Sequence, residues 1–189
     1  MKIHILFGMI GFILLSGCNR AAEKNPRFYD AGVSRELAGH RKAQIKNLKY
    51  ELSFNIPRQK EAAIEGDITL RFDLASRQEV LIDFREEREK IKEVIANGVP
   101  VDKVRFENEH IILPASSTVE GANGIRIRFT AGNQSLNRND EYLYTLLVPD
   151  RARTVFPCFE QPNLKAEFTL QLELPADWKA VSNTYIRSE

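Results

Sequence analysis

Apolar side chains alternate with polar ones in run after run of this chain, and that period of two points away from a helical fold. Leu48, Tyr50, Leu52, Phe54 and Ile56 alternate up to Pro57, and Ile64, Gly66, Ile68, Leu70, Phe72 and Leu74 do so within Ala62 to Leu74. With polar Arg58-Gln59-Lys60 between the two runs, an antiparallel pair joined by a short turn is the simplest arrangement. Val80 to Phe84 predicts a third strand and Ile91 to Ala96 a fourth, which reaches Asn97-Gly98, a two-residue hairpin signal leading into Val99-Pro100-Val101. Val104 and Phe106, then Ile111 to Leu113, flank Glu107-Asn108-Glu109 as a further hairpin, and Ile125, Ile127 and Phe129 alternate with Arg126 and Arg128. The charge run Arg85 to Lys90 reads as a solvated loop. Short strands at this spacing, punctuated by Gly, Asn and Pro, predict an all-β, antiparallel β-sandwich. No internal repeat supports a propeller or a solenoid.

The densest signal lies near the end. Phe156 to Pro162 packs two prolines, two aromatics and a cysteine together, which excludes a helix interior or a central strand. From Leu164 to Leu174 the chain alternates, with Leu164, Ala166, Phe168, Leu170, Leu172 and Leu174 on one side. That pattern predicts a half-buried core strand fed by a rigid segment. Just upstream, Tyr142, Tyr144, Leu146 and Val148 alternate while Leu143 and Leu147 occupy the other side. Such a stretch is either a strand buried on both faces or one that meets another domain.

The N-terminus carries an apolar run from Ile3 to Leu15 behind Met1-Lys2, the size of a signal-peptide core and too short to span a bilayer comfortably. It ends in Leu15-Ser16-Gly17-Cys18, which resembles a bacterial lipoprotein signal cleaved before a cysteine that then carries the lipid; a plain secretory peptide or a short buried helix is the alternative. The expected organisation is a signal peptide over 1–17, a tether over 18–32 with Cys18 as the lipid attachment site, and one β-domain over 33–189. The expected location is the bacterial cell envelope, exported and held to a membrane by acyl chains. A short helix capped by Ser34 is expected before the first strand.

Charge and cysteine usage exclude more than they assign. Lys and Arg number 27 against 26 Asp and Glu, which gives no electrostatic reason to expect a nucleic acid partner. With Cys18 acylated, Cys158 is the one remaining cysteine, and a structural disulfide is not expected. Cys158 reads as a small buried hydrophobe, since a nucleophile needs a nearby base and His40 and His110 lie in unrelated segments. Neither histidine begins an H-E-x-x-H motif, and there is no Gly-rich phosphate loop or G-x-S-x-G elbow. No catalytic residue, metal ligand or cofactor is therefore assigned within this chain.

The run R-T-V-F-P-C-F-E-Q-P-N-L-K-A-E-F-T-L from Arg153, continuing through L-P-A-D-W to Ser182-Asn183, resembles the end of the N-terminal β-domain of the aminopeptidase N family of zinc metallopeptidases. The pattern there is roughly F-P-C-F-D-E-P followed by x-x-K-A-x-F and a strand. The resemblance extends upstream to about Lys42 through strand order and length. It implies a saddle-like sandwich and marks Arg153, Phe156, Pro157, Cys158, Phe159, Glu160, Gln161 and Pro162 as a fingerprint loop, structural and cleft-facing. Within it, Arg153 is expected to pair with Glu160 or Asp150, and Glu160-Gln161 to hold the loop through backbone amides. The family's Gln-x-Glu motif, which helps bind a substrate's free amino group, falls on Leu146 and Val148. Neither can perform that role, so no substrate-binding residue is carried over.

In this family the catalytic domain follows the β-domain, so the resemblance places zinc, H-E-x-x-H and G-x-M-E-N beyond this region. The expectation is a β-domain incomplete at its C-terminus, inactive alone, whose partners are a catalytic domain, peptides as substrate class and a membrane. It would shape the active-site cleft of a membrane-anchored zinc metalloaminopeptidase that releases N-terminal residues. The alternative is a non-enzymatic lipoprotein that uses the same sandwich as a binding or scaffold module.

Overall fold

The computed structural model describes residues 26–188. A short 3-10 turn, Pro26–Tyr29, leads to helix α1 (Arg35–Gln44). Ser34 caps it: its hydroxyl accepts from the Leu37 N–H at 3.1 Å, satisfying one orphan donor of the first turn. Leu37 and Arg41, four apart and on one face, are the buried residues of α1. The β-branched Ile45 then turns the backbone extended, and strand β1 (Ile45–Asn55) begins without a loop.

The strands that follow are β2 (Glu65–Leu74), β3 (Val80–Asp83), β4 (Ile91–Ala96), β5 (Val99–Pro100), β6 (Arg105–Glu107), β7 (His110–Leu113), β8 (Gly121–Thr130), β9 (Leu136–Arg138), β10 (Leu143–Thr145) and β11 (Glu167–Glu173). A six-stranded sheet runs β11-β1-β2-β8-β4-β5, a three-stranded sheet runs β3-β7-β6, and β9 pairs with β10. Both expected hairpins form. Asn97 and Gly98 adopt φ of 52° and 81°, and Asn108 and Glu109 adopt 48° and 70°, the doubly left-handed turn that matches strand twist.

The two larger sheets share one core. Ile68, Leu70, Ile125, Ile127 and Phe129 of the large sheet, and Ile82, Ile111 and Leu113 of the small one, are fully enclosed. Each such side chain contributes about 1.5–3 kcal/mol relative to exposure. The fold is thus the all-β sandwich that the alternation predicts.

Three local expectations are corrected. The β1–β11 pair is parallel, with Lys49 opposite Glu167 and Asn55 opposite Glu173, so the sandwich is not wholly antiparallel. β11 is also an edge strand rather than a core strand: Phe168 and Leu170 are about half exposed. Its apolar side lies where the sheet ends, with Phe168 resting on the Tyr50 and Phe156 rings at 4.7 and 6.5 Å. Finally, Tyr142, Tyr144, Leu146 and Val148 are exposed, so the stretch around β10 is not buried on both faces within this chain. Leu143 and Leu147 alone pack against the core.

Gly66 faces Phe129 across the β2–β8 ladder, and a Cβ there would be driven into the Phe129 ring. That ring meets Phe54 and Phe84 edge-on at 6.0 and 5.7 Å, so it has little room to yield. Gly66→Ala is expected to destabilise the protein by about 1–3 kcal/mol, the usual cost of overpacking, read as a lowered thermal midpoint.

Candidate functional site

Strand β3 ends in a carboxylate where its pattern calls for an apolar side chain. Asp83 is fully enclosed between Ile82 and Phe84, and a buried carboxylate is tolerated only when its oxygens are met by donors and opposite charge. Arg41, projecting from the buried face of α1, donates Nη1 and Nη2 to its two oxygens at 2.8 and 2.7 Å, the bidentate fork that suits a carboxylate. Nη2 also donates to the Leu81 carbonyl at 2.9 Å. The Glu160 N–H adds a third donor at 2.8 Å. His110 Nδ1 lies 2.8 Å from Asp83 Oδ1 in a bent geometry, while its Nε2 donates to the Asp30 carbonyl at 2.9 Å.

Burial alone pushes the Asp83 carboxyl up, but the Arg41 charge, the His110 contact and the Arg41 hydrogen bonds outweigh it and hold the group at about 2. One carboxylate therefore ties together α1, β3, β7 and the fingerprint loop.

That loop is pinned from several sides. Cys158 and Asp83 exchange backbone hydrogen bonds of 2.8 and 3.0 Å. The Phe159 N–H donates to Tyr50 Oη at 2.9 Å, and the Phe159 ring lies under Arg41 and edge-on to Phe72 at 5.6 Å. Gln161 Nε2 donates to the Ala38 carbonyl at the back of α1, 2.9 Å away. Glu160 Oε2 accepts the Arg153 N–H at 2.8 Å. The Arg153 guanidinium reaches Asp150 at 3.2 Å, one of the two expected partners, and Glu109 at 2.8 Å. Phe156, Pro157, Cys158, Phe159 and Gln161 are buried, Glu160 is half-buried, and Pro162 is exposed. The loop is thus a core segment of this domain.

Cys158 is enclosed, and burial first, then the Glu160 and Asp83 charges, push its thiol well above the usual range. Its closest polar partner is Glu160 Oε2 at 4.0 Å. The fold does bring His110 to the Asp83 cluster, but both of its ring nitrogens face oxygens there. A thiol so placed is a poor nucleophile. Cys18 lies outside the described residues.

What the loop holds up is the surface beside it. Thr154 Oγ1 and Ser135 Oγ share a 2.7 Å hydrogen bond, the Leu146 N–H donates to the Ser135 carbonyl at 3.0 Å, and Arg151 N–H donates to the Leu147 carbonyl at 3.0 Å. The β9–β10 hairpin and the strip to Val148 are thereby fixed outward, with Val148 at 80% exposure and Tyr142, Leu146 and Tyr144 near half. Leu146 and Val148 offer neither charge nor hydrogen-bonding side chains, so neither can hold an ammonium.

A zinc ion does not fit the groups present. Among the described residues no three His, Cys, Asp or Glu side chains are placed to hold a metal. Asp83 is taken by Arg41 and Glu160, and His40 Nε2 meets Gln78 at 2.6 Å.

A family model for the peptidase M1 N-terminal domain matches residues 46–189. This chain belongs to the peptidase M1 N-terminal domain family. Aminopeptidase N of Streptomyces lividans is 32% identical over 166 residues, covering 80% of this chain and 19% of that protein. Leucine aminopeptidase 2 of Candida glabrata is 25% identical over 156 residues, covering 72% and 23%. The chain thus spans about a fifth of the length of these relatives. Among solved structures, the M1 zinc metallopeptidase of Deinococcus radiodurans superposes with a TM-score of 0.56 at 18% identity, covering 68% of this chain and 32% of that one. Native yeast LTA4 hydrolase gives 0.55 at 20% identity, covering 71% and 24%. These two likenesses show the fold.

Asp83 and Arg41 are absent from the residues that sequence reasoning singles out, and His110 enters it only as a rejected base and zinc ligand. The available signal was a charged residue inside V-L-I-D-F and a histidine opening H-I-I-L, polar groups in apolar strands that need partners.

The Asp83 carboxyl is held below its unfolded value near 3.8, so its stabilisation is present above that value and lost as pH falls toward 2. The expected loss between pH 4 and 2 is on the order of 2 kcal/mol, measured by denaturant melts across that range. Asp83→Asn removes this acid step and leaves Arg41 buried without its counter-charge, at a cost of about 3–5 kcal/mol near pH 7.

Proposed function

We propose that this chain is the N-terminal, non-catalytic domain of a membrane-anchored zinc metalloaminopeptidase. The observation that carries the reading is the pairing of a buried fingerprint loop with an outward apolar strip, within a chain of this family. The loop works from behind: its backbone is locked to Asp83, Tyr50 and α1, and it presents Tyr142, Tyr144, Leu146 and Val148 toward a cleft formed with a catalytic domain. Zinc, and the water it would activate for attack on the first peptide bond, belong to that domain. The β-domain supplies a wall. With Leu146 and Val148 on it, the substrate's amino group is held by carboxylates of the catalytic domain alone.

Cys18 carries the lipid that keeps the protein at the bacterial envelope, and Leu15-Ser16-Gly17 before it supports that reading. The competing function is a lipoprotein that uses the sandwich for binding only, and the apolar residues at the Gln-x-Glu positions are what favour it.

Zinc content and hydrolysis of aminoacyl reporter substrates separate these readings. The product of the whole reading frame that contains this sequence is expected to hold zinc and to release N-terminal residues, and residues 18–189 alone to do neither. Inactivity and absence of zinc in the longer product would favour the binding module; activity of residues 18–189 would overturn the assignment of chemistry to another domain.

Val148→Asp places a charge on the exposed strip, where it disturbs no core contact. The thermal midpoint is expected to stay unchanged, because exposed substitutions usually lie within about 0.5 kcal/mol. The kcat/KM of the intact enzyme is expected to fall; an unchanged value would remove the strip from the cleft.

A further inference from the structure

The start of the described chain is fastened to the domain, and this sets how the protein meets a membrane. Phe28 and Tyr29 pack on Leu37, Leu81 and Ile112, and the Phe28 ring lies 4.8 Å from that of His40. Tyr29 Oη donates to Glu79 at 2.8 Å, Asn108 Nδ2 donates to the Tyr29 carbonyl at 2.7 Å, and His110 Nε2 donates to the Asp30 carbonyl at 2.9 Å. The exit point beside α1 is therefore a fixed position on the surface.

From Cys18 to Pro26 there are eight Cα steps, which reach at most roughly 30 Å when fully extended. A domain of this length is roughly 40 Å across. The link is shorter than the body that it carries, so a bilayer holding Cys18 cannot be reached equally by all faces.

At the exit itself Arg27 lies 3.6 Å from both Asp30 and Glu36, but the outward side of α1 beside it is basic. Arg35 and Lys42, seven apart and both exposed, share the outward side of α1, and exposed Lys46 follows at the start of β1. Glu36, on the flank, has its carboxylate 3.6 Å from Arg27. Lysines and arginines at this range are drawn to anionic headgroups within a Debye length.

We propose that the α1 face, through Arg35, Lys42 and Lys46, docks on the anionic lipid surface that holds Cys18. Docking through this face fixes one orientation of the domain relative to the bilayer. The inference rests on the reading of Cys18 as acylated.

The test uses the intact acylated protein in vesicles containing a nitroxide-labelled lipid, with a fluorophore at Ala43→Cys on α1 or at Lys60→Cys. Position 60 lies beyond the other end of β1, whose eleven residues span roughly 35 Å. Cys158 is enclosed and leaves the introduced thiol as the reactive one. In phosphatidylglycerol vesicles the fluorophore at 43 is expected to lose most of its emission and that at 60 to keep it. The double change Arg35→Glu with Lys42→Glu is expected to abolish the difference without releasing the protein. Equal quenching at both positions, or a difference that persists after charge reversal or in purely phosphatidylcholine vesicles, overturns the docking while leaving the anchor intact. A mass spectrum without acyl chains on Cys18, together with release by an alkaline wash, overturns the anchor reading itself and the docking with it.

Discussion

The Asp83 carboxylate is the point on which this domain depends. It lies inside a sandwich whose interior side chains are mostly apolar, and every one of its partners comes from a different part of the chain. Arg41 brings α1, His110 brings β7, and the Glu160 amide brings the fingerprint loop. Such a group adds little net stability over a well-packed apolar replacement, because desolvating two charges offsets most of their attraction. Its effect is on specificity. A hydrocarbon contact tolerates sliding by an ångström, whereas a bidentate fork at 2.7 and 2.8 Å does not. The helix, the small sheet and the loop are held in one mutual arrangement for this reason.

That rigidity passes outward through the backbone. Asp83 pairs main chain with Cys158, Glu160 caps the Arg153 amide, and Arg153 bridges to Glu109 at a left-handed turn. Glu109 at φ 70° is an uncommon conformation for a side chain of that size. It is kept there by the turn that β6 and β7 require and by its ion pairs with Arg153 and Arg85 at 2.8 and 3.1 Å. The exposed strip from Tyr142 to Val148 is thereby hydrogen-bonded to the same support.

The period of two carried most of the fold, because burial on one face of a sheet writes itself directly into the sequence. Asn97-Gly98 and the Asn108 turn were legible for an equally local reason: only certain residues tolerate positive φ. Ser34 was legible as a cap. What alternation does not report is which side of a strand finds cover. Phe168, Leu170 and Leu172 alternate as cleanly as Leu70 and Phe72, yet the first set lines a sheet edge and the second a core. The parallel pairing of β1 with β11 was equally hidden, since it depends on a crossover that spans most of the chain. The Asp83 cluster escaped because its members lie far apart in sequence: Arg41 looks like one more charge on a polar helix, and Asp83 and His110 like isolated polar residues at the ends of apolar runs.

The two edges of the large sheet differ in a way that bears on what surrounds it. At one side, β5 has two residues and one of them is Pro100, so that edge offers almost no ladder to a further strand. At the other, β11 offers seven residues with Phe168 and Leu170 half exposed, and charge only at its two ends, Glu167 and Glu173. An isolated protein under selection for solubility protects both edges. This one protects the edge away from β11 and leaves apolar surface on β11 and on the strip at Tyr142 to Val148. Under the function proposed above, these two apolar surfaces are where a catalytic domain would pack.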